Sequence, residues 1–224
     1  MKSFTTILAV FLCAISAYGE TVTISFKTLA WNHFDDAIYY DHAGESISLK
    51  ATTYLRSTTS YTAEADIPIV VYKKISRGGE IVKQSVGSIM FPKDLKEGLL
   101  LIYGQGERFA FFPVVDSIAE FPYGNMKFVN LSPWTLYVLL GDQKVAIEAQ
   151  KSAVIEPNTA ANTNRLMIKM GVNPDADIQL VYSNAIRVHD TVRSVYFVAR
   201  APNYPRKTVE IKVLKESAQA GKTK

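Results

Sequence analysis

Residues 124–157 read GNMKFVNLSPWTLYVLLGDQKVAIEAQKSAVIEP, and this stretch decides the fold of the chain. Apolar residues alternate along residues 136–140 and again at Val145 and Ile147, and a Gly141-Asp142-Gln143 turn separates the two runs. Alternation with a period of two, interrupted by a short turn that contains glycine, indicates an antiparallel β-hairpin with one buried face. The stretch therefore predicts the repeating unit of an antiparallel β-sandwich.

The same pattern continues on both sides of this hairpin. The chain contains about a dozen short alternating runs, and nowhere do apolar residues keep a helical period for ten residues or so. Residues 99–103 (LLLIY) are continuously apolar, which is typical of a central strand covered on both faces. Residues 30–44 and 57–65 read as loops. We expect an all-β, immunoglobulin-like antiparallel β-sandwich.

An internal echo bears on the number of domains. Residues 70–104 and 137–171 both follow the order strand, turn, strand, short strand, proline, loop and strand. Two similar small sandwich modules would produce this echo, and so would unrelated strands that obey the same β rules. With two modules, the boundary gives residues 20–116 and 117–215, followed by a flexible tail at 216–224 that lacks apolar periodicity.

The first 19 residues have the composition of a signal peptide. Lys2 precedes an apolar run at residues 7–15, and Ala17-Tyr18-Gly19 places small residues where a signal peptidase cleaves. The apolar run is too short for a permanent membrane anchor, so we expect no transmembrane segment after cleavage and a periplasmic or secreted location. Cleavage would also remove Cys13, the only cysteine, and leave a disulfide-free mature chain.

Charge argues against a nucleic-acid partner. The formal net charge is +4, but lysine and arginine are scattered along the polar faces of the predicted strands and form no dense basic run. Scattered charge is typical of a solvated surface. We therefore expect no nucleic acid among the partners.

Several aromatic and apolar runs resemble those of a known family. They are Phe26 with Leu29-Ala30-Trp31, Ile38-Tyr39-Tyr40, residues 69–72 (IVVY), residues 99–101 (LLL), and Phe121-Pro122-Tyr123-Gly124 leading into residues 127–131 (KFVNL). Over most of residues 22–157 the chain resembles a family of exported all-β proteins of Gram-negative bacteria for which no activity is known. The resemblance implies a signal peptide and an immunoglobulin-like or cupredoxin-like sandwich, and it implies no catalytic residue.

The candidate metal ligands lie within residues 30–45. His33, His42, Asp35 and Asp41 offer imidazole and carboxylate groups, which suit zinc or another divalent ion. Their spacing matches no standard metal signature, and a cupredoxin-type copper site needs a cysteine thiolate that the mature chain would lack. The chain also contains neither a G-x-S-x-G nor an H-E-x-x-H motif. We expect no cofactor and no enzymatic activity.

The candidate ligand-binding residues are aromatic. Trp31, Tyr39 and Tyr40 lie in the same predicted loop, where exposed rings could stack on a sugar or contact a protein. The alternative is that these rings cap the open end of the sandwich.

These observations favour a non-catalytic binding or structural protein of the bacterial envelope. Its partner would be an envelope protein or polymer, and its site a loop end (residues 30–45 and 54–62) or an exposed sheet edge. The alternatives are a carbohydrate-binding module that uses the aromatic loop and a metal-dependent enzyme that uses His33 and His42.

Overall fold

The structure, a computed structural model, describes residues 22–159, 164–175, 177–201 and 208–218. The described residues form β-strands joined by turns and loops, and none of them belongs to a helix. Accordingly, none of the described segments is a helix long and apolar enough to cross a membrane. The predicted signal peptide and the last six residues of the predicted tail lie outside the described residues.

The first half of the chain forms eight strands. They are β1 (Thr23–Ala30), β2 (Ile38–His42), β3 (Glu45–Leu49), β4 (Tyr61–Glu64), β5 (Ile69–Arg77), β6 (Glu80–Ile89), β7 (Glu97–Gln105) and β8 (Arg108–Val115). These strands make two sheets, an inner sheet 1 in the order β4-β1-β7-β8 and an outer sheet 1 in the order β3-β2-β5-β6. Together they form the first module.

The second half repeats this arrangement. Its strands are β9 (Met126–Leu131), β10 (Leu136–Leu140), β11 (Gln143–Ile147), β12 (Ser152–Ile155), β13 (Arg165–Val172), β14 (Gln179–Arg187), β15 (Val192–Arg200) and β16 (Val209–Ser217). Inner sheet 2 has the order β12-β9-β15-β16 and outer sheet 2 the order β11-β10-β13-β14. The strand order is that of the first module with every number raised by eight.

The two modules also agree in their irregular features. The β1–β7 and β9–β15 pairs are parallel, and all other described pairs are antiparallel. A β-bulge leaves Val86 of β6 without a register partner opposite Val71 and Tyr72, and another leaves Val181 of β14 without one opposite Met170 and Gly171, at equivalent places in the two registers. A bulge inserts one residue at a defined point of a ladder. Because the bulge recurs at the equivalent position, the two modules have the same strand topology and the same register.

The predicted all-β antiparallel sandwich with two similar modules is confirmed. The internal echo that suggested two modules is wrong in its alignment, however, because it matched β5 and β6 with β10 and β11. Strand order makes β2 and β3 the counterparts of β10 and β11. Each module has eight strands, one more than a constant-type immunoglobulin domain, and its first strand lies between its fourth and seventh. That each half folds by itself stays a prediction.

Two of the predicted loops contain strands. Residues 30–44 include β2, and residues 57–65 include β4. Both strands are short, and polar side chains on their exposed faces hide the alternation of the buried ones. At the other end of the chain, β16 continues to Ser217, two residues into the predicted tail.

Three apolar layers hold the four sheets together. One lies between the sheets of the first module and one between the sheets of the second module. The third lies between the two inner sheets, where Leu29, Leu99 and Leu101 pack with Val195 and Phe197. The run at residues 99–103 is therefore a central strand covered on both faces, as its sequence predicts.

A buried ionic network joins the two modules beside the third apolar layer. The Arg56 guanidinium donates two hydrogen bonds of 2.7 Å to the Asp116 carboxylate. Arg193 bonds Glu216 at 2.6 Å and the carbonyl oxygens of Asp116 and Phe121 at 3.0 and 3.1 Å. The side chains of Arg56, Asp116 and Arg193 are all less than a tenth exposed. The network therefore fixes β15 and β16 against the connection between the modules.

Candidate binding groove

The predicted ligand-binding rings do not share a surface. Tyr39 and Tyr40 are neighbours on β2, so their side chains point to opposite faces of outer sheet 1. Tyr40 is buried in the first module, where its hydroxyl donates to the Thr62 carbonyl at 2.9 Å and burial raises its pKa to about 12. Trp31 lies between the modules and donates from Nε1 to Glu210 at 3.1 Å. Tyr39 alone remains on the outer face.

The predicted metal ligands are also distributed over different places. His33 and Asp35 form an exposed pair at 2.8 Å in the loop before β2, whereas His42 is the last residue of that strand. Asp41 accepts hydrogen bonds from Lys83 at 2.7 Å and from Tyr72 at 2.5 Å, and these bonds, that of Lys83 above all, lower its pKa. Within the described ranges, no three histidine, cysteine, aspartate or glutamate side chains lie close enough to hold a metal ion.

A groove lies in the second module, between the edge strands of its two sheets. Its volume is about 830 Å³, and it is lined by residues 179–182 of β14, residues 208–212 and the side chain of Trp31. Among the described residues, β14 pairs only with β13 and β16 pairs only with β15. The other edge of each strand faces the groove, so backbone N–H and C=O groups line both of its sides.

The corresponding space in the first module is closed. Strands β6 and β8 lie side by side, and a β-carbon on Gly87 would come within 2.6 Å of the Phe109 carbonyl oxygen. Gly87 pairs with Val71 and directly follows the bulge of β6, and Tyr182 pairs with Met170 and directly follows the bulge of β14. The position that glycine holds in the first module is therefore held by tyrosine in the second.

The Tyr182 side chain accounts for the open groove. Its ring packs edge-on against Tyr196 of inner sheet 2, with ring centroids 6.3 Å apart. A tyrosine ring between the two sheets takes the space through which β6 and β8 make contact in the first module. Strands β14 and β16 therefore remain apart along their unpaired edges.

Polar and charged groups of the groove have partners within the protein. The Lys212 ammonium donates to the Thr53 carbonyl at 2.5 Å, and burial lowers its pKa. Thr208 donates to the Gln179 side-chain oxygen at 3.1 Å, and Glu210 accepts the Trp31 bond. No constellation of nucleophile, base and orienting acid is present among these residues. The apolar side chains of Val181, Val209 and Ile211 also line the groove.

A second depression adjoins the groove on the outer face of outer sheet 2. This hollow has a volume of about 460 Å³ and is lined by Tyr137, Leu139, Gly171 and Leu180 among others. Leu180 lines both the hollow and the groove and is 65% exposed. Sequence reasoning missed both depressions, because β14 and β16 come together only through pairing with other strands. The exposed sheet edge was predicted as a kind of site without a position.

Comparison with known proteins adds little to this description. No family model matches the chain, and no curated protein matches it in sequence. Among solved structures, the chain is similar to a protein of Bacteroides uniformis ATCC 8492, whose assignment to cell adhesion is itself provisional. The TM-score is 0.25 and the identity 11%, over 89% of this chain and 98% of that chain. At this TM-score no property of that protein is transferred to this one.

Proposed function

We propose that this is a non-catalytic binding protein of the bacterial envelope that takes an extended segment of a partner polypeptide into the groove between β14 and β16. The observation that carries the proposal is the pair of unpaired sheet edges that face each other across one groove. The equivalent edges of the first module are in contact and leave no such space. The predicted signal peptide supports the envelope location.

Strand addition explains how such a groove binds. A peptide strand that enters beside a free edge forms main-chain hydrogen bonds with it, and its alternate side chains enter the groove. Four residues of β14 (179–182) and five residues where β16 begins (208–212) line the groove, which at about 3.3 Å per residue gives a length of about 15 Å. Val181, Val209 and Ile211 supply apolar contacts inside the groove. We therefore expect the part of the partner segment that enters the groove to be about five residues long and to alternate apolar and polar side chains.

The two alternatives receive less support from the geometry. Glycan binding through residues 31–40 requires exposed rings, and both Trp31 and Tyr40 are buried. A metal-dependent enzyme requires His33 and His42 to converge, and β2 separates them. The open groove provides a binding surface that neither alternative uses.

Site-specific photocrosslinking in the producing bacterium tests the proposal. The photoreactive residue p-benzoylphenylalanine is placed at Gln179 or Leu180, which are exposed and line the groove. The matched controls are Gln84 and Ser85, which are also exposed and hold the same register positions in the first module. We expect a discrete polypeptide adduct at both groove positions and at neither control position.

The adducts also report the mode of binding. With strand addition, mass spectrometry finds the crosslinked atoms within a single extended segment of one partner. Crosslinks to glycan alone, adducts of equal yield at Gln84 and Ser85, or no adduct at the groove positions would each overturn the proposal.

A further inference from the structure

The hollow on outer sheet 2 lies at the position that the ring of Tyr72 occupies in the first module. In the first module Tyr39 of β2 pairs with Tyr72 of β5. In the second module Tyr137 of β10 pairs with Gly171 of β13. Gly171 is therefore the counterpart of Tyr72, and Tyr137 is the counterpart of Tyr39.

The first module shows what this position accommodates. The ring of Tyr72 stacks on the ring of Tyr39, with centroids 6.0 Å apart and planes inclined by 22°. The ammonium group of Lys83 lies 4.6 Å from the centre of the Tyr72 ring. In the second module the stacking partner is present, but residue 171 supplies no ring.

Residue 171 cannot fill the hollow from within. A β-carbon on Gly171 would lie 2.6 Å from the Cγ2 atom of Ile178 and 3.2 Å from the Gln179 carbonyl oxygen. Both distances are shorter than ordinary van der Waals contact, so the close approach of Ile178 requires glycine here. Ile178 thus covers Gly171 itself, and no aromatic ring of the described residues stacks on Tyr137.

The residues around the hollow define the chemistry of a ring that binds there. In the first module the Tyr72 hydroxyl hydrogen-bonds Asp41 and Ser46. In the second module the counterparts of Asp41 and Ser46 are Leu139 and Lys144, by the register of the two equivalent hairpins. An apolar side chain replaces the acceptor for a hydroxyl. The hollow therefore favours a ring without a hydroxyl, which is that of phenylalanine or tryptophan.

The charge beside the hollow defines a second feature of the occupant. Lys144 and Lys169 both line the hollow. Neither lysine has an ion pair with a residue in the described part of the chain. Two unneutralised ammonium groups beside an apolar depression favour a carboxylate next to the ring.

We infer that the hollow over Gly171 binds a phenylalanine or tryptophan side chain that is followed by an acidic residue in the partner polypeptide. The inference rests on the proposed function, because Leu180 makes the groove and the hollow parts of one continuous surface. The inserted strand supplies main-chain bonds, and the aromatic side chain, with its neighbouring carboxylate, supplies sequence specificity.

Short probes separate the hollow from the groove. N-acetyl-Phe-Glu-amide is too short to occupy the groove, and its binding to the exported chain is followed by chemical-shift titration of backbone amides. We expect saturable shifts at Leu139 and Gly171, and binding at least fivefold weaker for N-acetyl-Leu-Glu-amide and N-acetyl-Phe-Lys-amide. No saturable shift at Gly171, or equal binding of the three probes, would overturn the inference.

A double substitution that copies two residues of the first module into the hollow tests the binding of the ring in the protein itself. Leu139 and Ile178 are the counterparts of Asp41 and Lys83, which form an ion pair in the first module with 2.7 Å between Oδ2 and Nζ. The double variant Leu139→Asp with Ile178→Lys gives the second module the same pair of residues. We expect the binding of N-acetyl-Phe-Glu-amide to fall more than tenfold with no loss of the folded amide spectrum. The matched control is the reverse exchange, Asp41→Leu with Lys83→Ile, which should leave binding unchanged. Unchanged binding in the first variant would count against the inference.

The two proposals fail separately. Adducts at Gln179, which lines the groove and not the hollow, would without probe binding retain the groove and reject the aromatic side chain in the hollow. Probe binding without such adducts would retain the ring-binding hollow and reject strand addition.

Discussion

The side chain of Asn130 holds the turn that precedes the β10–β11 hairpin. Asn130 is fully buried, and its amide nitrogen lies within 3.0 Å of the carbonyl oxygens of Trp134, Ile147 and Glu148. Its Oδ1 atom accepts hydrogen bonds from the backbone and hydroxyl groups of Ser132. The side chain therefore ties the end of β9 to the end of β11.

Asn130→Ala should be strongly destabilising. The substitution leaves buried carbonyl and hydroxyl groups without partners, and each such group costs on the order of 1–3 kcal/mol. We expect the free energy of unfolding in urea to fall by about 3 kcal/mol. Asn158→Ala, at an exposed position, is the control and should change it by less than about 0.5 kcal/mol. Equal effects of the two substitutions would show that the Asn130 bonds contribute nothing.

Lys127 gives stability an unusual dependence on pH. Its side chain is buried, donates to the Val115 carbonyl at 2.6 Å, and has a pKa lowered by burial from 10.5 to about 8. Between those values the unfolded chain binds more protons than the folded chain, so stability rises with pH. We expect a gain of about 3 kcal/mol from pH 8 to pH 10 and above.

The gain should end where buried tyrosines begin to titrate in the unfolded chain. Burial raises the pKa of Tyr40 and Tyr196 to about 12, so stability is lost again as pH rises from about 10 to 12. Urea unfolding at a series of pH values measures both limbs. In Lys127→Met most of the rise should disappear, and what remains belongs to Lys212, whose pKa burial also lowers. An undiminished rise in Lys127→Met would contradict the assignment to Lys127.

At the scale of the element, Gly87 allows two sheets of the first module to touch. Gly87→Ala places a methyl group 2.6 Å from the Phe109 carbonyl oxygen, a backbone atom that cannot rotate away. We expect a loss of about 1–3 kcal/mol, because overpacking forces β6 away from β8. Thermal unfolding measures the loss. In Gly104→Ala the new methyl group finds its nearest neighbours at 3.5 Å, so a similar loss there would contradict this explanation.

Local patterns explain which elements were predictable. The β10–β11 hairpin and the apolar strand β7 were predicted because each shows its pattern within a few consecutive residues. Strand β2 was read as a loop because Asp41 and His42 occupy two of its five positions, although Ile38 and Tyr40 alternate as buried residues. Because β2 was read as a loop, Tyr39 and Tyr40 were assigned to one surface.

The binding groove could not be predicted by the same reasoning. It depends on the difference between Gly87 and Tyr182, and these residues are recognised as counterparts only when both strand registers are known. The internal sequence similarity wrongly matches β6 with β11. It therefore does not pair Gly87 of β6 with its true counterpart, Tyr182 of β14. Long-range pairing, and not local propensity, determines where the unpaired edges face each other.

At the scale of the whole molecule, Asp116 and Glu216 are the two carboxylates that Arg56 and Arg193 share in the network between the modules. Asp116→Ala removes the bidentate partner of Arg56 and leaves both buried guanidinium groups with Glu216 as their remaining carboxylate. Removal of one partner from a buried ionic network costs about 3–5 kcal/mol. We expect a loss of this size in calorimetry. Lys83→Ala, which breaks the exposed pair with Asp41, should cost less than about 1 kcal/mol. Similar losses would indicate that the network is no stronger than a surface pair.

The parallel β1–β7 and β9–β15 pairs have a consequence for folding during synthesis. Inner sheet 1 cannot be completed until the chain through β8 has been delivered, and its outward leucines stay uncovered until β15 arrives. A chain that is synthesised from its amino terminus therefore passes through an intermediate with an exposed apolar sheet face. The yield of native protein should thus depend on the rate at which the carboxyl-terminal half follows, with slow delivery diverting the intermediate into aggregates.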